Sequence, residues 1–185
     1  MKKFTTFILA MGIGFASFAQ AINDQAVIPV SVTLNSIMRI QVTSGGNMEF
    51  VFSSIDSYST GIVASPRYQT VFTVASSVDF DVTLNTESAT FVGEGSGINL
   101  ALDVVDFSLS GGVAGTCDLL HDGTQGPLVD GQVIIVPATT PPNNNGGQGH
   151  SFTIAWQCGV TNDIVSYNVG PDRYSNNIFL TLTQH

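Results

Sequence analysis

The chain holds two thiols, Cys117 and Cys158, and their chemistry depends on the compartment the chain reaches. Met1-Lys2-Lys3 opens it with positive charge, Phe4 to Phe18 is mostly apolar, and Ala19-Gln20-Ala21 supplies small residues at a cleavage spacing. That layout predicts a cleavable secretory signal peptide over residues 1–21, cut after Ala21 or after Ala19. The apolar run falls short of the ~20 residues that a spanning helix needs. An even pair of cysteines in an exported chain then predicts a Cys117–Cys158 disulfide, the alternative being two free thiols. Closing about 41 residues, such a bridge contributes on the order of 4 kcal/mol by loop entropy.

Other chemistry is thinly represented. His121 and His150 fall in loop-like stretches and His185 stands at the last position; none belongs to an H-E-x-x-H pattern, and there is no G-x-S-x-G elbow. With no lysine after Lys3, Ser-Lys and Schiff-base chemistry are excluded from the exported part. Asp79 and Asp81 lie two apart on one strand face, roughly 7 Å from each other, a separation usable in glycoside hydrolysis. Alternating aspartates on a wet strand face ordinarily serve solvation, so no catalytic residue is assigned and the chain is expected not to be an enzyme. Asp118 and Asp122-Gly123, followed by Asp130-Gly131, place carboxylates in turns where they can wrap a calcium ion. The D-x-D-x-D-G pattern is absent, and Asp-Gly forms turns without any metal. No cofactor is expected.

Charge narrows the partners. The whole chain carries a formal charge of −9, and beyond residue 21 only Arg39, Arg67 and Arg173 oppose 14 acidic residues. Such a surface repels phosphate backbones and anionic lipid, so nucleic acid is not an expected partner. No later stretch is long and apolar enough to span a membrane as a helix, and an integral membrane protein is not expected once the signal is removed.

The elements that must position these residues alternate with period two. Ile28, Val30, Val32 and Leu34 share one parity, which Met38, Ile40 and Val42 continue. Further sets follow: Met48, Phe50, Phe52; Phe80, Val82, Leu84; Ile98, Leu100, Leu102, Val104; Phe152, Ile154, Trp156, Cys158; and Ile178, Leu180, Leu182. These are strands with one face on a core. Tyr68 to Ala75 and Gln132 to Val136 are more continuously apolar and read as central strands. Gly-rich turns separate the runs, and helical spacing does not persist. About eight to ten strands predict an all-β fold, an antiparallel two-sheet β-sandwich of immunoglobulin-like or pilin-like kind with one disulfide, in a single domain over residues 22–185. A closed barrel is the alternative. The segment Pro141 to Gly149, rich in Asn and Gly, is expected to be an exposed loop that packs against nothing.

An N-terminal strand of alternating aliphatics, a Gly-punctuated sandwich, few charges, one expected disulfide and an alternating strand at Ile178 to Leu182 resemble secreted fimbrial subunits of the pilin and spore-coat-U type. The resemblance is one of layout. The cysteines here lie in the C-terminal half, whereas typical pilins carry theirs near the N-terminus, and the penultimate tyrosine of chaperone-assembled pilins is replaced by Gln184. The resemblance implies a cell-surface or extracellular structural or adhesive subunit whose partners are itself or other surface subunits. Assembly would run through strand pairing at a sheet edge, by Ile28, Val30, Val32 and Leu34 or by Ile178, Leu180 and Leu182. Two other classes stay open. One is a monomeric secreted module that binds carbohydrate or protein through Tyr58, Tyr68, Tyr167 and Tyr174; the other is a secreted hydrolase.

Overall fold

The computed structural model describes residues 28–140 and 144–185. The expected signal peptide, 1–21, lies outside the described residues. Asn35–His185 form one compact unit, and the residues up to Leu34 belong to a separate one, of which 28–34 are described.

With 45% strand and 8% helix, the fold is all-β, and every strand pairing is antiparallel. The first sheet runs β1 (Met38–Ser44), β2 (Gln69–Ser76), β10 (Gln148–Cys158), β6 (Val105–Gly111) and β8 (Gly126–Pro127) in that spatial order. The second runs β12 (Ile178–Gln184), β3 (Phe80–Thr86), β9 (Gln132–Pro137) and β7 (Cys117–Leu119). A small third sheet joins β11 (Tyr174–Ser175), β4 (Thr90–Gly93) and β5 (Asn99–Ala101). The two continuously apolar runs are interior strands, β2 and β9, as their composition predicts.

Period two selects the core. Phe72 and Val74 of β2, Phe107 and Leu109 of β6, and Phe152, Ile154 and Trp156 of β10 are buried in one cluster with Phe80, Val82 and Leu84 of β3. Phe72 and Phe152 stack with ring centroids 5.3 Å apart, so the centres of two neighbouring strands are fixed by one aromatic contact. In β9 the period breaks. Val82 pairs with Ile135 but Thr83 pairs with Val133, leaving Ile134 as a bulge, and both Ile134 and Ile135 are fully buried.

Three strand expectations are corrected. Ile28, Val30, Val32 and Leu34 form no strand, and each is 79–89% exposed. Met48, Phe50 and Phe52 pack half-buried on the core without ladder partners, because the chain then enters a short helix, α1 (Ile55–Thr60), whose N-terminus is fixed by a reciprocal Ser54–Ser57 capping box. Leu102 and Val104 are buried but form a 3₁₀ turn (Leu102–Val104), where the Asp103 carbonyl accepts from Asn162 and the Asp103 carboxylate from the Tyr167 hydroxyl.

Candidate functional site: a cleft between two edge strands

Ser76 ends β2 in the first sheet and Phe80 begins β3 in the second, so the short turn between them carries the chain across. Both edge strands are pinned there. Met38 of β1 pairs with Ser76, and Ser77 N–H donates to the Ile37 carbonyl at 2.9 Å. Gln184 of β12 pairs with Phe80, His185 N–H donates to the Asp79 carbonyl at 3.0 Å, and the His185 ring meets Asp81 at 2.8 Å. β1 and β12 therefore approach each other but form no ladder, and among the described residues each pairs on one side only.

Away from the turn a cavity of about 700 Å³ lies between them. Val42 of β1 and Ile178 and Leu180 of β12 form its walls, Ile154 and Trp156 its floor, and Phe91 and Leu100 of the third sheet contribute from the side. Trp156 is oriented by its Nε1–H, which donates to Thr70 Oγ1 at 3.0 Å; that hydroxyl donates onward to the Gly45 carbonyl at 2.8 Å. Gly45 has φ +67°, and a Cβ there would fall 1.9 Å from the Gln69 carbonyl oxygen. Only glycine lets the chain leave β1 so close to β2 and run along the rim of the cleft.

The far rim is held by Asp172. Its carboxylate accepts from the Ser96 hydroxyl at 2.6 Å, from Ser96 N–H at 2.7 Å, from Gly95 N–H at 3.1 Å and from Arg173 N–H at 2.8 Å. The Ser96 hydroxyl first, then the Ser96 backbone N–H, hold this carboxyl down at about 2. Asp172 therefore clasps the β4–β5 turn to the segment entering β11.

The assembly candidates divide. Ile178, Leu180 and Leu182 form the edge strand β12, with Ile178 at the mouth of the cleft and Leu180 and Leu182 half-buried against the core. The aromatic candidates divide as well: Tyr58 and Tyr174 line the cleft with Trp156, whereas Tyr68 and Tyr167 do not. Tyr68 stacks on Phe50 at 4.8 Å, Tyr58 meets Phe52, and the hydroxyls of Tyr167 and Tyr174 are engaged by Asp103 and the Gly170 carbonyl.

The disulfide is corrected: both cysteines are free. Cys117 Sγ lies 3.7 Å from His150 Nδ1, and Cys158 stands eight residues further along the same strand, β10. Eight strand steps span roughly 26 Å, against the ~7 Å limit on Cα separation in a disulfide. Burial pushes the Cys158 thiol up to about 12, and burial likewise raises Cys117.

Asp118, Asp122 and Asp130 do not converge. Asp118 accepts from Thr139 N–H at 2.9 Å, Asp130 from Thr86 N–H at 2.7 Å, and Asp122 is exposed. Among the described residues no three His, Cys, Asp or Glu side chains gather as metal ligands. Asp79 and Asp81 are likewise engaged separately, by the Asn145 and Gly146 backbone and by His185.

A hydrogen-bonded knot that periodicity does not reveal lies at the other end of β10. Asn145 is wholly buried, which corrects the expectation that its segment packs against nothing. Its Oδ1 accepts from Phe80 N–H and its Nδ2 donates to the Phe80 carbonyl, both at 2.9 Å, so the side chain extends β3 as a strand backbone would. His150 Nε2–H donates to the Asn145 carbonyl at 2.8 Å, which leaves Nδ1 to accept from Val113 N–H and to face the Cys117 thiol. A thiol and an oriented imidazole make a nucleophile–base pair in outline. Here burial keeps the thiol protonated, and neither Cys117 nor His150 lines the cleft. The signal for Asn145 was present only as an Asn-Gly pair in a low-complexity run.

No helix among the described residues is long and apolar enough to cross a membrane. No family model matches the sequence, and no curated protein sequence does.

Proposed function

We propose that this chain is an exported structural or adhesive surface subunit of pilin or spore-coat-U type, an antiparallel two-sheet sandwich that joins its neighbours by strand pairing at a sheet edge. The carrying observation is that β1 and β12, each paired on one side only among the described residues, flank a cleft with an apolar floor. Unpaired edge N–H and C=O groups recruit a further strand unless something blocks them. No lysine guards these edges, and Phe179 of β12 is half exposed. The alternating segment Ile28 to Leu34, exposed and without a strand of its own, has the pattern of a strand that a neighbouring copy can receive. Pro29 fits a first strand position.

The test removes residues through Leu34 and, separately, introduces Val30→Lys with Val32→Lys, following assembly by sedimentation and electron microscopy. Wild-type polymers that both changes abolish are expected. A wild-type chain that stays monomeric at high concentration, or variants that assemble equally well, would overturn the proposal.

A second reading is favoured by the cleft volume, which falls within the ~300–1,000 Å³ of small-molecule sites: a monomeric secreted binding module. Strictly monomeric behaviour with saturable glycan binding, lost in Trp156→Ala, would support it. A secreted hydrolase ranks third, and its test is turnover in a substrate screen.

A further inference from the structure

We propose that Asn145–Gly146 is a self-modification site, where the opened chain converts Asn145 to aspartate and isoaspartate while the folded chain holds the reaction off. It is the one Asn-Gly pair in the sequence. Glycine has no Cβ to keep its nitrogen away from the preceding side chain, so the ring-closing attack is least hindered at such a pair. The Gly146 nitrogen loses its proton to water or buffer base and bonds to Asn145 Cγ, and the carboxamide nitrogen leaves as ammonia. Water then adds to either carbonyl of the five-membered imide and opens it to aspartate or isoaspartate. Overall one water is consumed and one ammonia released, with no change of oxidation state.

Each group that must move is held in the fold. Gly146 N–H donates to Asp79 Oδ1 at 2.9 Å, and a neighbouring carboxylate makes that proton harder to remove. The Asn145 carboxamide is bonded at both ends to the Phe80 backbone, and the residue is wholly buried, away from water. The same packing imposes the vulnerable pair. A Cβ on Gly146 would fall 2.4 Å from the Val78 carbonyl carbon, so glycine is required there, and the Phe80 strand edge requires a carboxamide that both donates and accepts.

The product cannot rebuild the knot. A carboxylate at 145 offers no N–H to the Phe80 carbonyl, and it brings a second negative charge beside Asp79, which already bonds the Asn145 and Gly146 N–H groups. Each opening of the segment therefore risks an irreversible step.

The exported chain is incubated at mildly alkaline pH, once folded and once in urea, and its peptides are mapped. A gain of about one dalton at residue 145, with an isoaspartyl fraction, is expected in urea, and the folded chain should convert at least roughly tenfold more slowly. Asp122-Gly123 and Asp130-Gly131 isomerise without a mass change and do not confuse the signal. Asp79→Ala, checked by thermal melting to be folded, is expected to speed conversion under native conditions. Equal rates in the folded and unfolded chain, or no conversion in urea, would overturn the site. An Asn145→Asp variant that melts at the wild-type temperature would overturn the consequence.

Discussion

The two ends of β10 bury the same strand by different means. At the Gln148 end, the Asn145–Gly146 segment folds over the core and connects Asp79, Phe80 and His150 in one hydrogen-bonded knot. At the Cys158 end, Ile154 and Trp156 look into a cavity of about 700 Å³ between strands that diverge. A core closed by its own backbone mimic has its polar groups satisfied and its space filled, whereas one left open at a sheet edge keeps room for something else. That asymmetry predicts unequal costs for substitutions at the two ends.

The largest effect belongs to the closed end. Phe152 packs on both Phe72 and His150, and Phe152→Ala is expected to cost ~3–5 kcal/mol in urea unfolding. Next comes Asn145→Ala, which leaves the Phe80 N–H and C=O buried without partners and should cost ~2–4 kcal/mol. Leu180→Ala, at the half-buried wall of the cleft, should cost only about 1–2 kcal/mol. Were Leu180→Ala as damaging as Phe152→Ala, the cleft would be ordinary core and the contrast would vanish.

The two thiols, one near each end of β10, sharpen it further. Both should be alkylatable once the unreduced protein is unfolded, and in the native state the half-exposed Cys117 should react first; a mass that shows no free thiol before reduction would restore the bridge. Because folding raises the Cys158 thiol from 9.0 to about 12, the neutral thiol's contribution is complete below about pH 9 and is lost as pH rises toward 12. Denaturation midpoints should therefore fall across that window, at up to about 1.4 kcal/mol per pH unit, and Cys158→Ala should flatten the fall.

The smallest effect concerns the rim. Asp172 is lowered from 3.8 to about 2, so its clasp is intact above about pH 4 and is lost as pH falls toward 2. Asp172→Asn should remove that part of the acid dependence of thermal melting; an unchanged acid limb would show that the clasp does not matter.

Period two made much of this legible. Phe80, Val82, Leu84, Leu100, Phe152, Ile154 and Trp156 are buried as their parity predicts, because a strand with one dry face must alternate. Parity fails where a residue is inserted or a turn intervenes. The bulge at Ile134 buries two successive isoleucines, and the 3₁₀ turn at Leu102–Val104 buries two residues without a ladder. Pairing partners are invisible to periodicity, so the cleft between β1 and β12, a property of sheet order, was not in the pattern. Nor was the separation of the cysteines, since chain distance says nothing about which end of a strand a neighbour meets. Asn145 was hidden for a different reason: a carboxamide that completes a sheet edge has the same letter as one in solvent.

Trp156 is the one tryptophan in the chain, and it lies on the floor of the cleft with its indole N–H fixed to Thr70. Excited at the red edge, where its tyrosines do not absorb, this protein thus emits from one place, the place where its surroundings change if anything enters. An apolar strand or ligand settling there should shift the emission to shorter wavelength and shield it from a soluble quencher, with no label attached. An unfolding signal read from the same indole reports the cleft end of β10 and is silent about the Asn145 knot, so a second probe is needed to tell whether the two ends open together.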